Sequence, residues 1–212
     1  REGAVMAARL DADDVAGARA RLSHLCARDP AGLGVDELAR ATVESLAENT
    51  SDAAVAPLLW AAAFGAPGVV AYRAVNTLDA MVGYRSPRHL RFGWASARLD
   101  DAANLVPARV TALLTVALAP VVGGCRSAAW RAWRRDAHHH PSPNAGHCEA
   151  AFAGALGVSL GGANTYHGVT ESRATLGAGS GPVVADIARA VRLSRAVVLA
   201  AAVLAVLGTV PR

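Results

Sequence analysis

From Ala53 to Tyr72 the chain carries no charged residue. As a helix this run is about as long as a bilayer core is thick, which takes roughly 20 apolar residues. Pro57, Gly65, Pro67 and Gly68 interrupt it. Such breaks are tolerated at membrane depth only where protein or a wet cavity covers the freed backbone groups. The run therefore points to a helical membrane bundle with broken or re-entrant helices, because an uninterrupted lone span could not carry them.

Composition agrees. The 212 residues are 53% hydrophobic and 18% charged, with a mean hydropathy of +0.27. An ordinary soluble domain carries about 25% charged residues. Three further uncharged stretches follow: a shorter one over Val110–Cys125, a glycine-rich one over Ala150–Thr170, and an apolar run over Ala196–Val210. The Ala150–Thr170 stretch reads as a packed span, a re-entrant segment or a buried core helix, with Asn164, Tyr166 and His167 near its end. Between two and four membrane segments are expected on length and hydropathy. No internal repeat and no strand-like alternation stands out, so the class is all-α and multi-pass, with polar interfacial loops. The chain reads as one domain over 1–212. Residues 1–52 supply polar amphipathic helices, one ended by Pro30 and one capped by Asp36; residues 53–212 supply membrane-embedded helices and loops. The opening "REGAVMAARLDADD" has no initiator methionine and no signal peptide, and a missing N-terminal segment is expected.

The net charge is +4, and every basic residue is arginine. Without lysine there is no Walker A loop and no Schiff-base lysine. The arginines are spread over several loops without interleaved aromatics, which argues against a nucleic-acid groove. They suit anionic lipid or phosphate instead. Trp130 and Trp133, in the basic loop over 126–149, suit an interface. Cys26, Cys125 and Cys148 are widely spaced and form neither a disulfide framework nor a zinc ribbon. "GAGSGP" is no dinucleotide fingerprint, and the glycines of "GALGVSLGG" fit close helix packing.

Four stretches carry chemistry-bearing residues. In "VESLAENTSD", Glu44, Ser45, Glu48, Asn49 and Asp52 fall within an arc of roughly 140° on a helix. Most such stripes are solvated faces. Three carboxylates on one stripe repel unless a cation or arginine sits opposite, which favours a Mg²⁺ or substrate site. In "YRAVNTLDAMVGY", Arg73, Asn76 and Asp79 share a face of about 120°. Ionisable groups at the end of an apolar span are costly unless paired and are functional by default; the bland alternative is an Arg73–Asp79 anchor. In "FGWASARLDDAANLVPARVTALL", Arg98, Asp100, Asp101, Asn104 and Arg109 cluster, with Pro107 expected to start a new helix. A carboxylate pair with an amide and flanking arginines suits a Mg–phosphate site, or else a salt-bridged helix junction. In "HHHPSPNAGHCEAAF", consecutive histidines cannot all face one ion. The prolines instead make a rigid loop that presents His140, Ser142 and Asn144 to a ligand, and Glu149 opens the next helix.

The order of these stretches resembles the cobalamin-biosynthesis CbiB/CobD family of adenosylcobinamide-phosphate synthases. The similarity runs from about Ala18 to about Gly177, through "VESLAENTSDAAVAPLLW", "GAPGVVAYRAVNTLDAMVGY", "FGWASARLDDAANLVPARVTALL", "HPSPNAGHCEAAFAGALGVSLGG" and "YHGV". Ala174 stands where the family pattern would have proline, and His147 and Cys148 also depart from it. The resemblance implies a multi-pass protein of the bacterial inner membrane. It implies an amide bond between cobyric acid, a corrinoid, and aminopropanol or its O-phosphate, with ATP and Mg²⁺ and no bound prosthetic group. Other corrin-pathway membrane enzymes are possible partners. Against that chemistry, Glu44, Glu48, Asp52, Asp79 and Asp101 are candidate catalytic groups, and Asp52, Asp79, Asp100 and Asp101 are candidate Mg²⁺ ligands. Arg73, Arg98 and Arg109 would hold phosphates. Asn49, Asn76, Asn104 and Asn144 would bind amides or hydroxyls, alongside His140 and Ser142. A membrane transporter and a non-catalytic scaffold for corrin enzymes are the rival readings.

Overall fold

The structure, a computed structural model, describes residues 1–26, 29–83, 91–166 and 169–209. His167 lies outside the described residues. Helices α1 (Glu2–Asp11) and α2 (Val15–Leu22) precede α3 (Val35–Thr50). Asp14 caps α2 by accepting the Gly17 N–H at 2.8 Å. Asp36 does not cap α3; the helix starts earlier, with the Glu37 carboxylate accepting the Gly34 N–H at 2.8 Å.

Helix α3 passes without a break through a π-helical turn, Ser51–Val55, into α4 (Ala56–Val82). Pro57 at the start of α4 has no N–H to give, and a wider i→i+5 turn just before it accommodates that loss. Within α4, Gly65 leaves helical geometry at φ 66° and ψ −155°. There the chain doubles back. A Cβ on Gly68 would lie 2.6 Å from the Trp60 carbonyl oxygen, and the Trp60 ring stacks on Tyr72 with centroids 6.2 Å apart. The Tyr72 hydroxyl also reaches the Asp52 carbonyl oxygen at 3.0 Å. In a straight helix these last two residues would stand about 30 Å apart. The apolar run is thus a helical hairpin with its tip at Gly65.

Helix α5 (Trp94–Leu118) is continuous, and Pro107 lies inside it, against the expectation that it starts a helix. Its missing N–H frees the Ala103 carbonyl, which accepts the Trp60 indole N–H at 3.2 Å. The fold thus satisfies one helix's proline defect with the neighbouring helix's tryptophan. A 3-10 turn (Ala119–Val122) and Gly123 at φ 73° lead into α6 (Arg126–Asp136), then α7 (Ala145–Leu156).

The stretch expected to be helical over 150–170 is not a span. Helix α7 ends at Gly157, φ 72°, and the chain forms an antiparallel hairpin of β1 (Ser159–Tyr166) and β2 (Val169–Gly177). The pairing slips between Leu160 and Gly162, where Gly161 and Gly162 both take positive φ. Leu160 and Leu176 are buried under the hairpin, but small residues beside them hide the period-2 pattern. Helix α8 (Val184–Thr209) is the last described element and begins well before the expected Ala196.

Among the described residues, three helical stretches are long and apolar enough to cross a membrane: Val35–Val82, Trp94–Val122 and Val184–Gly208. The first contains the fold-back. Phe64, Val70, Val106, Leu199 and Leu207 are exposed on α4, α5 and α8, as lipid-facing residues would be. The core beneath them joins Met6, Leu22, Leu38, Phe152, Ile187 and Leu193.

Candidate functional site

The fold-back at Gly65 brings two polar segments to one place. Glu48 and Asp52 come from the end of α3 and its π turn; Asn76 and Asp79 come from the far arm of α4. Helix α5 adds Asp100, Asp101 and Asn104, and the loop before α7 adds Ser142 and Asn144. Together they line a cavity of about 380 Å³. Nine of the residues singled out in the sequence meet here, from four segments of the chain.

Amides order the carboxylates. Asp100 accepts from the Asn76 amide at 3.2 Å on one oxygen and from the Asn104 amide at 3.0 Å on the other. The Tyr72 hydroxyl donates to Asn104 Oδ1 at 3.0 Å, which fixes the direction of that amide. Asn144 donates to the Asp101 carbonyl oxygen at 2.8 Å and accepts from Arg109 at 3.2 Å. The arginines sit around the cavity, outside its lining. Arg73 donates to Asn76 Oδ1 at 2.9 Å, Arg98 pairs with Asp101 at 3.2 Å, and Arg109 also bonds the Leu105 carbonyl at 2.8 Å. The result is a carboxylate-lined chamber with a cationic rim. It suits a ligand with an ammonium or metal-bound group at the centre and an anionic group at the edge.

Not every expected residue joins it. Asn49 turns its amide to the Ser45 carbonyl and hydroxyl, at 2.8 and 3.1 Å. Glu44, one turn before Glu48, is buried and accepts the Gly161 N–H of the β-hairpin at 2.8 Å, with Arg40 at 3.8 Å. His140 is buried beside Glu149 and Arg173, with side chains only 5% exposed for the His140–Glu149 pair. Glu149 does not open its helix; α7 begins at Ala145, where the Ser142 hydroxyl accepts the Asn144 and Ala145 N–H groups at 3.3 and 3.2 Å. Burial, then the nearby Arg173 charge, pushes the His140 imidazole down to about 4. Burial likewise takes His147 to about 4, beside Arg109 and with its Nδ1 accepting the Trp133 indole N–H at 2.7 Å.

Sequence reasoning missed Tyr72. Its signal was available: a tyrosine at the end of an apolar run buries a hydroxyl that needs a partner. It also missed Arg40 and Arg173, whose neighbours come from distant segments.

For the metal reading, no three carboxylate, imidazole or thiolate groups among the described residues form a ligand set by themselves. Mg²⁺ commonly takes only one or two carboxylates and completes its shell with water and substrate phosphate oxygens. The paired carboxylates of this chamber fit that kind of site and not an all-protein cage.

The CobD/Cbib protein family model matches residues 1–194. The chain is 62% identical over 207 residues to a cobalamin biosynthesis protein CobD of Mycobacterium tuberculosis H37Rv, covering 98% of this chain and 66% of that protein. It is 49% identical over 177 residues to the protein of that name in Pelobacter propionicus, covering 84% and 55%. With that of Rhodobacter capsulatus it shares 47% over 193 residues, covering 91% and 60%. The chain thus spans less than two thirds of the length of these relatives. No solved structure matches it. A fold-back helix carrying the motif carboxylates, joined to those of α5 and to the His140–Asn144 loop, accompanies a family match over most of the chain: it belongs to the CobD/CbiB family.

Proposed function

We propose that this chain works in cobalamin biosynthesis as the acidic-site portion of an adenosylcobinamide-phosphate synthase of the bacterial inner membrane. It would join a corrin carboxylate of cobyric acid to the amine of aminopropanol or its O-phosphate. The observation that carries this reading is the convergence of Glu48, Asp52, Asp79, Asp100 and Asp101 with three asparagines in one cavity.

Amide formation from a carboxylate needs activation. With ATP, the carboxylate oxygen takes the terminal phosphoryl group and ADP leaves. The amine nitrogen then attacks the acyl carbon, loses a proton, and phosphate departs. The carboxylates here would attract the ammonium form of the amine, and one of them would accept its proton. Asp52, Asp79, Asp100 and Asp101 are the groups that would hold Mg²⁺, which when bound neutralises phosphoryl charge. Arg73, Arg98 and Arg109 at the rim would meet phosphate, and Asn76, Asn104 and Asn144 would meet the corrin's amide side chains.

The test is turnover by the purified full-length protein with ATP, cobyric acid and aminopropanol phosphate, without a vesicle gradient. Product supports the reading. Gradient-dependent uptake without product favours a transporter, and tight corrinoid binding without ATP consumption favours a scaffold.

A further inference from the structure

Beside the carboxylate chamber lies a second buried polar cluster that lines no part of it. Arg40 and Glu44 come from α3, His140 from the loop before α7, Glu149 from α7 and Arg173 from β2. Glu44 accepts the Gly161 N–H at 2.8 Å, and the Gly161 carbonyl accepts from Arg40. His140 Nε2 stands 3.6 Å from Glu149 Oε1 and 3.3 Å from an Arg173 guanidinium nitrogen. A two-stranded sheet is marginal alone, and these contacts seat it on the helices. Burying this many charges in a chain with so few is costly unless they pair, so the cluster calls for a role.

The other side of the His140 ring supplies it. His140 Nδ1 lies 3.0 Å from the Ser142 N–H. A backbone N–H can only donate, so Nδ1 is the acceptor and the ring proton sits on Nε2, facing Glu149. The Arg173 guanidinium is then a neighbouring charge and not a donor to the ring. The Ser142 hydroxyl in turn accepts the Ala145 N–H at the start of α7, and Asn144 bonds Asp101 and Arg109. Both residues line the chamber. The chain of contacts runs from the β-hairpin, through one imidazole, to two lining residues.

We propose that His140 is a positioning residue: held between Glu149 and the hairpin's Arg173, it fixes the loop that carries Ser142 and Asn144 to the carboxylates. It does not touch the ligand. The consequence for turnover rests on the reading of the chamber as the active site; the consequence for loop order does not. Protonation would turn Nδ1 from acceptor to donor and exchange the Ser142 N–H for the Ser142 carbonyl, 3.4 Å away, so the bond from the N–H needs the neutral ring. Glu149, Glu44, Arg40 and Arg173 are the charged groups around it, and burial with Arg173 keeps it neutral at physiological pH.

The test is hydrogen exchange of the Ser142–His147 amides in the full-length protein in nanodiscs, together with turnover, for H140N, H140Q and H140A. The asparagine amide can stand in for Nδ1; glutamine reaches toward Nε2 instead. H140N should keep loop protection near wild type. H140Q and H140A should exchange about tenfold faster, the size of one lost buried hydrogen bond, with KM raised more than kcat is lowered. Unchanged protection in all three variants overturns the proposal. So does lost turnover in H140A with the loop still protected, because His140 then acts on the ligand directly. Lost protection with wild-type turnover upholds the positioning and instead removes the chamber as the active site.

Discussion

The Tyr72 hydroxyl donates to Asn104 Oδ1 across 3.0 Å, linking the returning arm of the α4 hairpin to α5 beside the carboxylate chamber. It also lies 3.0 Å from the Asp52 carbonyl, and its side chain is 1% exposed. Tyr72→Phe keeps the ring stack on Trp60 and removes the hydroxyl, whose single proton serves both contacts. It should destabilise the protein by about 1 kcal/mol, the net worth of one buried hydrogen bond. Asn104 then loses its orientation toward Asp100, and substrate affinity should fall with it. Thermal melts in detergent, read beside KM, check both effects.

The fold-back depends on a missing side chain. A Cβ at Gly68 would meet the Trp60 carbonyl oxygen and the Phe64 Cβ, each at 2.6 Å. Gly68→Ala should therefore cost about 1–3 kcal/mol, as overpacking does, and should separate the two arms. Gly65, with φ 66°, is confined for a different reason: a side chain there is strained by its own backbone. Cysteine pairs placed on the two arms should cross-link in the parent and lose that reactivity in Gly68→Ala.

These two glycines mark where the sequence stopped being legible. The uncharged runs pointed correctly to α4, α5 and α8. What spacing could not say is that Asp52 and Asp79 meet, because that depends on how sharply one residue turns the chain. The acidic stripe of α3 was also read as a unit. The structure divides it, Glu48 and Asp52 toward the chamber and Glu44 toward the β-hairpin. The hairpin itself was missed because Gly, Ala and Ser around Leu160 and Leu176 blur the alternation. Pro107 was taken for a helix start, when its lost hydrogen bond is offset by Trp60.

Acid should weaken the fold through two imidazoles. Burial is the main reason both His140 and His147 are held down to about 4, against about 6.5 in an unfolded chain. Between those values the unfolded chain binds more protons than the folded one. Their contribution is therefore complete above about pH 6.5 and is lost as the pH falls toward about 4. Melting midpoints taken from about pH 7.5 down to about pH 4.5 should decline through this window. Replacing both histidines by asparagine should flatten the decline.

The thiols should separate cleanly. Cys125 is exposed just after the Trp94–Val122 stretch, and hydrogen bonds from Ser127 and the Ala128 N–H draw its thiol down to about 7. Cys148 is buried, which pushes its thiol up. A membrane-impermeant maleimide at neutral pH should label Cys125 quickly from one side of the membrane only. Cys148 should react only after denaturation. Labelling of right-side-out against inverted vesicles then orients the bundle.

The most direct measurement is product formation by the full-length protein carrying alanine singly at Glu48, Asp52, Asp79 and Asp101, with membrane insertion confirmed for each. Loss of a proton-accepting or charge-holding group costs about 100-fold or more in rate, and each variant is expected to fall at least that far while still inserting. Wild-type turnover in all four would mean that the chamber between the α4 hairpin and α5 is not where the reaction happens.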